Sequence, residues 1–223
     1  MRILITAGGT REYIDPVRFI SNASSGRMGY ALVRAALNAG HKGTLITTVE
    51  NSKFEIRNPK LKVVGVQTAS EMFEAVKKYF PRCDCLIMTA AVADYTPAHP
   101  AKTKIKKGSK SVTIKLKPTP DILKWAGKHK NPKSEIRNPK FRRRRLVIGF
   151  ALEDKNLREN AGKKLREKNL DMIIANSPAA IGADKTVAQI KIPGRKWLKL
   201  PKASKATIAK KIISLAEEIE KER

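Results

Sequence analysis

The chain has 223 residues, 41% of them hydrophobic, with no run near the roughly 20 apolar residues of a membrane span and no secretory-signal layout in its opening MRILITAGGT. Its two cysteines, Cys83 and Cys85, exclude a disulfide framework and point to a reducing, cytoplasmic setting. The net charge is +27, and residues 101–150 alone carry 17 basic and two acidic side chains, a block that either attracts polyanions or forms a solvated basic surface.

Arg2–Thr6 is a short apolar run entering the turn Ala7-Gly8-Gly9-Thr10, which reads as a buried strand and a glycine turn. Asp15-Pro16 breaks the chain, and residues 21–26 (SNASSG) form a polar loop. Met28–Ala39 has a helical pattern stopped by Gly40; Thr44–Val49 and Leu61–Val66 read as strands, Ser70–Phe80 as a helix, and Cys85–Thr89 as another buried strand. Residues 103–117 are an exposed, hairpin-like excursion with alternation in VTIKL. Thr119 and Pro120 suit the cap and first position of a helix running through Trp125. Leu146–Phe150 and Asp171–Ala175 are strands flanking a helix that Asn156 caps. A hairpin around Pro193-Gly194 and an amphipathic helix, Ser204–Glu222, end the chain. This alternation predicts an α/β fold: a Rossmann-like, doubly wound, mostly parallel sheet in one domain over 1–223, with a basic flap or arm at about 96–118 and a C-terminal antiparallel hairpin. EIRNPK occurs twice, at Glu55–Lys60 and Glu135–Lys140, too few copies for a repeat architecture.

Several groups suit anions. Gly8 and Gly9 follow the first strand, where small residues let backbone N–H groups approach phosphate, although the dinucleotide glycine spacing is missing. Ser24-Ser25-Gly26 precedes a helix and is either an anion cradle or an ordinary cap. Ala90-Ala91-Val92-Ala93-Asp94 follows a strand where crevices form, and Asp94 is either a ligand acceptor or a turn residue. Lys104–Lys107 supply positive charge on the arm. Lys164 and Lys168 stand four apart on one helix face, a like-charge spacing that costs about 0.2–0.5 kcal/mol and hints at an anion between them. His41, His99 and His129 lie in separate segments without a nucleophile motif, Cys83 and Cys85 lack further metal ligands, and no Walker-type phosphate loop occurs.

Taken together, TAGGTREYIDPVRFISNASSGRMGYALVRAAL, AAVADY, the KIKK run, TPDIL, GFALE and IIAN resemble, in order and spacing, phosphopantothenate–cysteine ligase, which in many bacteria is one half of a bifunctional coenzyme A biosynthesis flavoprotein. The resemblance runs from Arg2 to the last helix and implies a stand-alone ligase or an excised ligase domain, with no flavin in this chain. It implies activation of 4′-phosphopantothenate by CTP, rather than ATP, with Mg²⁺, releasing pyrophosphate. L-Cysteine then attacks the acyl-cytidylate and CMP leaves. Its nucleotide contacts fall on Asp94, Lys104, Pro120, Asp121, Ile122, Leu123, Phe150, Lys164 and Lys168, with phosphates held by Gly8, Gly9, Ser24, Ser25 and Gly26. Asn22 matches an asparagine used on the acyl-nucleotide and, with Lys104, is the catalytic expectation; Ala90 and Ala91 line the pantothenoyl channel. Arg18 reaches the phosphopantothenate of a neighbouring subunit of a homodimer, and the arm at Lys104–Lys107 closes over the intermediate. No metal ligands are assigned. A separate phosphopantothenoylcysteine decarboxylase is an expected partner. Tyr13, Ala23 and Asp154 depart from the family's usual residues without removing any of these groups.

Two rivals stand beside the ligase. An RNA- or polyanion-binding protein on the same sheet fits the charge, but aromatics are only 5%, and stacking platforms need more, so nucleic acid is expected only as weak nonspecific binding. A nicotinamide-dependent oxidoreductase fits the opening strand and turn but not the glycine spacing.

Overall fold

The computed structural model describes residues 1–49, 56–109, 111–131 and 144–223. In chain order it begins with β1 (Arg2–Ala7), β2 (Arg11–Tyr13), β3 (Phe19–Ser21), α1 (Arg27–Asn38), β4 (Lys42–Thr47), β5 (Leu61–Gly65) and α2 (Ala69–Tyr79). The middle holds β6 (Cys85–Met88), β7 (Tyr95–Pro97), β8 (Leu116–Pro118), α3 (Ile122–Lys128), β9 (Leu146–Leu152) and α4 (Leu157–Glu167). Last come β10 (Met172–Asn176), β11 (Lys185–Thr186), β12 (Gln189–Lys191), β13 (Leu198–Lys199), β14 (Ala203–Ser204) and α5 (Lys205–Lys221).

Eight of the strands form one sheet in the order β13-β12-β10-β9-β6-β1-β4-β5. The six strands from β10 to β5 run parallel, and the C-terminal hairpin adds β12 and β13 antiparallel at one edge. This is the mostly parallel, Rossmann-like α/β arrangement that the alternation predicts, its hairpin included. A buried parallel sheet needs strands apolar on both faces, and β1 meets that need. Ile3, Ile5 and Ala7 pack on the side of α1 and α5, while Leu4 packs with residues of α2, α3 and α4. From β1 the chain moves through α1 to β4 and β5, then returns to place β6 on the other side of β1. The carboxyl ends of β1 and β6 are therefore the switch point of the sheet, where a crevice opens. The helix α1 lies very close to that point: a Cβ on Gly29 would stand 2.5 Å from the Ala7 Cβ.

Local chemistry shifts several expected boundaries. Asp121, not Thr119, caps α3, its carboxylate accepting from the Lys124 amide at 2.9 Å. Thr119 instead donates its hydroxyl to the Ala93 carbonyl at 2.5 Å, fastening the strand that leads into the helix. Asn156 does sit at the cap of α4, but at φ 50° and without a side-chain cap bond. The alternating VTIKL forms ladder only at its end, where Leu116 pairs with Pro97. The hairpin of β2 and β3 was not legible from the broken pattern around Asp15-Pro16. Asp15 builds it by accepting from the Val17 amide at 2.9 Å, the Arg18 amide at 2.8 Å and the Arg18 guanidinium. The same carboxylate accepts from the Ile105 amide at 3.1 Å, and Arg18 donates to the Ile105 carbonyl at 2.6 Å, so the base of the arm is fixed to this hairpin. The Arg18 hydrogen bonds hold the Asp15 carboxyl far below the ordinary carboxylate range, against an opposing push from burial.

Four consecutive arginines, Arg142–Arg145, stand in the basic block, and two of them are structural. Arg144 ion-pairs with buried Asp171 at 2.7 Å, alongside Lys130 at 3.0 Å and Arg223 at 3.0 Å. The buried Arg145 donates to the Pro81 carbonyl and lies over the Phe80 ring. Arg142, Arg143 and the second EIRNPK copy lie outside the described residues. Cys83 and Cys85 are reduced and buried, and burial pushes the Cys83 thiol up to about 12 and the Cys85 thiol well above its ordinary value. Both thiols are therefore expected to resist a disulfide reagent at neutral pH in the folded protein and to react as two equivalents in denaturant; one fast equivalent in native buffer would contradict this packing.

Candidate functional site

A cavity of about 700 Å³ opens at the carboxyl ends of β1, β6, β9 and β10. Its floor is fixed by backbone beyond the strand ends. The Ala91 amide donates to the Gly8 carbonyl at 2.8 Å, and the Thr10 amide donates back to Ala91 at 3.3 Å. Two buried threonines complete this support: Thr6 accepts from the Ala90 amide at 3.2 Å and Thr10 from the Ala93 amide at 2.9 Å. Asn22 spans the gap, its Nδ2 donating to the Ala91 and Val92 carbonyls, each at 3.3 Å, which leaves its Oδ1 as an acceptor at the cavity wall.

The structure brings most of the expected site residues to this one cavity. Asn22, Ser24, Ser25, Gly26, Ala90, Ala91, Asp94, Pro120, Asp121, Ile122, Leu123, Phe150, Lys164 and Lys168 all line it. Four others are elsewhere. Gly8 and Gly9 lie beneath the 21–26 loop rather than facing the opening: a Cβ on Gly9 would stand 2.5 Å from the Asn22 carbonyl oxygen, and one on Gly8 would meet the Thr48 hydroxyl. Gly8 adopts φ +89°, so the turn needs glycine for its backbone and its packing. Arg18 is held by Asp15 and Ile105 O, and Lys104 stands exposed on the arm, outside the lining.

The cavity is positive. Lys164 is half-buried and donates to the Phe150 carbonyl at 2.8 Å, and among the described residues no carboxylate forms an ion pair with it. Burial, then the charge of Lys168, pulls its pKa below the ordinary value, against weaker opposing pulls from Glu153, Asp121 and Asp94. Lys168 pairs with Asp121 at 2.9 Å. Burial raises the Asp121 carboxyl, but the Lys124 amide and the two lysines outweigh it and leave it lowered.

Two further cations were missed by sequence reasoning: Arg27 and Lys205 both line the cavity. Arg27 donates to the Gly182 carbonyl at 3.1 Å and to Asp184 at 2.8 Å, and Lys205 donates to the Ala183 carbonyl. Each is the first residue of its helix, α1 and α5 respectively. A cation there opposes the helix dipole, at a cost of about 0.3–1 kcal/mol. That misplacement was the available signal, readable only once both helix starts are known. Burial, then the charge of Arg27, also lowers Lys205. Four cations therefore face two carboxylates, Asp94 and Asp121, in a cavity whose described lining holds no histidine or cysteine. It suits a polyanion, held without a protein nucleophile.

A neutral lysine cannot hold an anion by charge, so affinity for inorganic triphosphate should fall as pH rises through the lowered Lys164 pKa, below the ordinary 10.5. Calorimetric titration between about pH 7 and pH 10 is expected to show that loss, and Lys164→Met to flatten it; an unchanged profile would remove Lys164 from the anion site.

The family model for the DNA/pantothenate metabolism flavoprotein C-terminal domain matches residues 1–219. A cysteine/cysteine sulfinic acid decarboxylase from an unknown prokaryotic organism is 45% identical over 82% of this chain and 47% of its own length. The coenzyme A biosynthesis bifunctional protein CoaBC of Bacillus subtilis (strain 168) is 38% identical over 95% of this chain and 50% of its own. The crystal structure of the C-terminal domain of a CoaBC protein is 35% identical and superposes with a TM-score of 0.77, covering 100% of this chain and 96% of that one. The chain thus spans about half the length of the curated relatives it matches, and nearly all of the solved domain. It belongs to the DNA/pantothenate metabolism flavoprotein C-terminal domain family.

Proposed function

We propose that this chain is a phosphopantothenate–cysteine ligase of coenzyme A biosynthesis, joining the carboxylate of 4′-phosphopantothenate to the amine of L-cysteine at the expense of CTP. One observation carries the reading: a single cavity at the sheet's switch point holds Asn22, the Ala90–Ala91 corner and four cations together. The pantothenate in the family's description and the coenzyme A in its relatives' names support it. The decarboxylase relative and the CoaBC relative are each matched over about half of their own length.

Phosphopantothenate and CTP are both anionic, and a carboxylate approaching a triphosphate must overcome like-charge repulsion. Lys164, Lys168, Arg27 and Lys205 lower that repulsion, and in a partly enclosed cavity their effect exceeds what it would be in water. The carboxylate then attacks the α-phosphorus, pyrophosphate leaves, and the cysteine amine attacks the mixed anhydride, releasing CMP. The protein positions and neutralises; it supplies no covalent group, in keeping with the lining. Asn22, fixed by its two donations, offers Oδ1 toward the incoming amine. A magnesium ion borne on the nucleotide's phosphates would supply further charge neutralisation there; among the described residues no group of three or more His, Cys, Asp or Glu is placed to hold a metal. A homodimer is part of the reading, supported by exposed Val17, Phe19 and Ile20 near the β2–β3 hairpin and Tyr95, Ile114 and Leu116 around the arm. None of the described helices is long and apolar enough to cross a membrane.

Pyrophosphate release with Mg²⁺, 4′-phosphopantothenate and either CTP or ATP tests the reading. Release that requires phosphopantothenate, with phosphopantothenoylcysteine formed once cysteine is added, is the expected result, CTP being preferred. No release from folded protein with either nucleotide overturns it. In Asn22→Asp the donor facing two carbonyls becomes an acceptor, so overall turnover should drop about tenfold or more while phosphopantothenate-dependent pyrophosphate release persists. Unchanged turnover would remove Asn22 from the second step.

A further inference from the structure

Aromatic residues make up only 5% of the chain, yet several of their rings meet in one place, outside the cavity. Trp125 packs edge-on against Phe73 of α2 at 5.5 Å and against Phe80 at 5.6 Å between centroids. The His129 imidazole stacks on the same indole at 4.5 Å, 20° from parallel. Its Nδ1–H donates to the Trp125 carbonyl at 2.8 Å, so the ring is held flat, and His129 is exposed. The helix α3 buries Ile122, Leu123 and Ala126, which leaves Trp125–His129 and Lys124–Lys128 as two adjacent stripes, the members of each one turn apart.

Cations ring this cluster. Lys77 lies over the Phe73 ring at 4.7 Å and Arg145 over Phe80 at 5.3 Å. Lys124, Lys128 and Arg82, which ends the turn Phe80–Arg82, are all exposed, and none of the three forms an ion pair among the described residues. The acids close by are already engaged, Glu74 with Lys77 and Asp84 with Arg2. A membrane surface would call for exposed apolar anchors, and none of the exposed large hydrophobic residues belongs to this face. Unpaired cations beside a ring held flat, with an indole on one side of it, are what a single strand needs: charge for its phosphates and a platform for a base.

We infer that this face of α3 binds single-stranded nucleic acid, its phosphates against Arg82, Lys124 and Lys128 and one base stacked on His129. The site is separate from the cavity and does not rest on the ligase reading.

Fluorescence anisotropy of labelled 12-nucleotide oligouridine and oligothymidine, titrated with the full chain, tests this. Binding of either strand is expected, with a log–log salt slope of about −2 for three phosphate contacts. Arg82→Glu/Lys128→Glu should weaken it at least about tenfold. Lys210→Glu/Lys211→Glu makes the same change of charge on exposed residues of α5, on the other face of the sheet, and should stay within about twofold of wild type. His129→Ser should cost about fivefold or more with the salt slope kept, and His129→Phe should restore binding. Failure of both strands to bind overturns the inference, and so does equal weakening by the α5 pair, which would mean attraction to total charge alone. A serine variant that binds normally, or a phenylalanine variant that does not, removes the stacked base and overturns it too. Displacement of the oligonucleotide by excess CTP with Mg²⁺ would place the strand in the cavity instead. Polyglutamate of equal length should bind at least about tenfold more weakly; equal binding would give the face to an acidic polypeptide and also overturn the assignment.

Discussion

Everything at the site hangs from the parallel pairing of β1 with β6. Past that pair the chain leaves in opposite directions, so no element can fill the space above the two strand ends. The gap stays rigid because the backbones remain joined for a few residues more, through Gly8, Thr10 and Ala91, with two buried threonine hydroxyls holding the alanine loop from below. Asn22 closes over the same junction. The glycine turn thus acts as masonry: it supports the loop that lines the cavity and is not itself part of the lining.

Excess positive charge is handled in two ways in one molecule. Around Asp171, three cations share one buried carboxylate, which also accepts from the Val147 amide at 2.8 Å, and the charge is absorbed into the architecture. In the cavity, Lys164 and Lys205 are turned toward carbonyl oxygens, and burial lowers both. A carbonyl solvates an ammonium without neutralising it, so the positive potential remains available to an anionic ligand. The difference separates cations neutralised within the architecture from those left open to the cavity better than the total charge does.

The layered sheet was legible because its signals are local and repeated: apolar strand runs, helical periodicity and a proline-glycine turn. Ser24–Gly26, the alanine loop and the pair Lys164 and Lys168 were legible as short motifs tied to strand ends and a helix face, whereas Asn22, residues 120–123 and Phe150 entered only through the family resemblance. Arg27 and Lys205 were not legible, since each looks like an ordinary surface cation until the fold sets two helix starts against one corner. The β2–β3 hairpin was hidden for a similar reason. Its turn depends on an acid whose partners include Ile105, 90 residues away, and no window of sequence contains that bond. Thr119 and Asp121 show a finer limit: both are good caps by type, and only the position of the Ala93 carbonyl decides which one caps.

The bonds that tie Ile105 to Asp15 and Arg18 also bound how far the arm can travel. Lys104 directly precedes the pinned residue, so its ammonium sweeps only the length of its own side chain unless the Asp15–Arg18 junction moves with it. The chain between that anchor and β8, residues 106–115, is ten residues long, and looped out and back it extends at most about 17 Å. Lysines beyond the anchor, Lys106 and Lys107, sit on a short tether, while Lys104 stands next to the residue bonded to the β2–β3 hairpin.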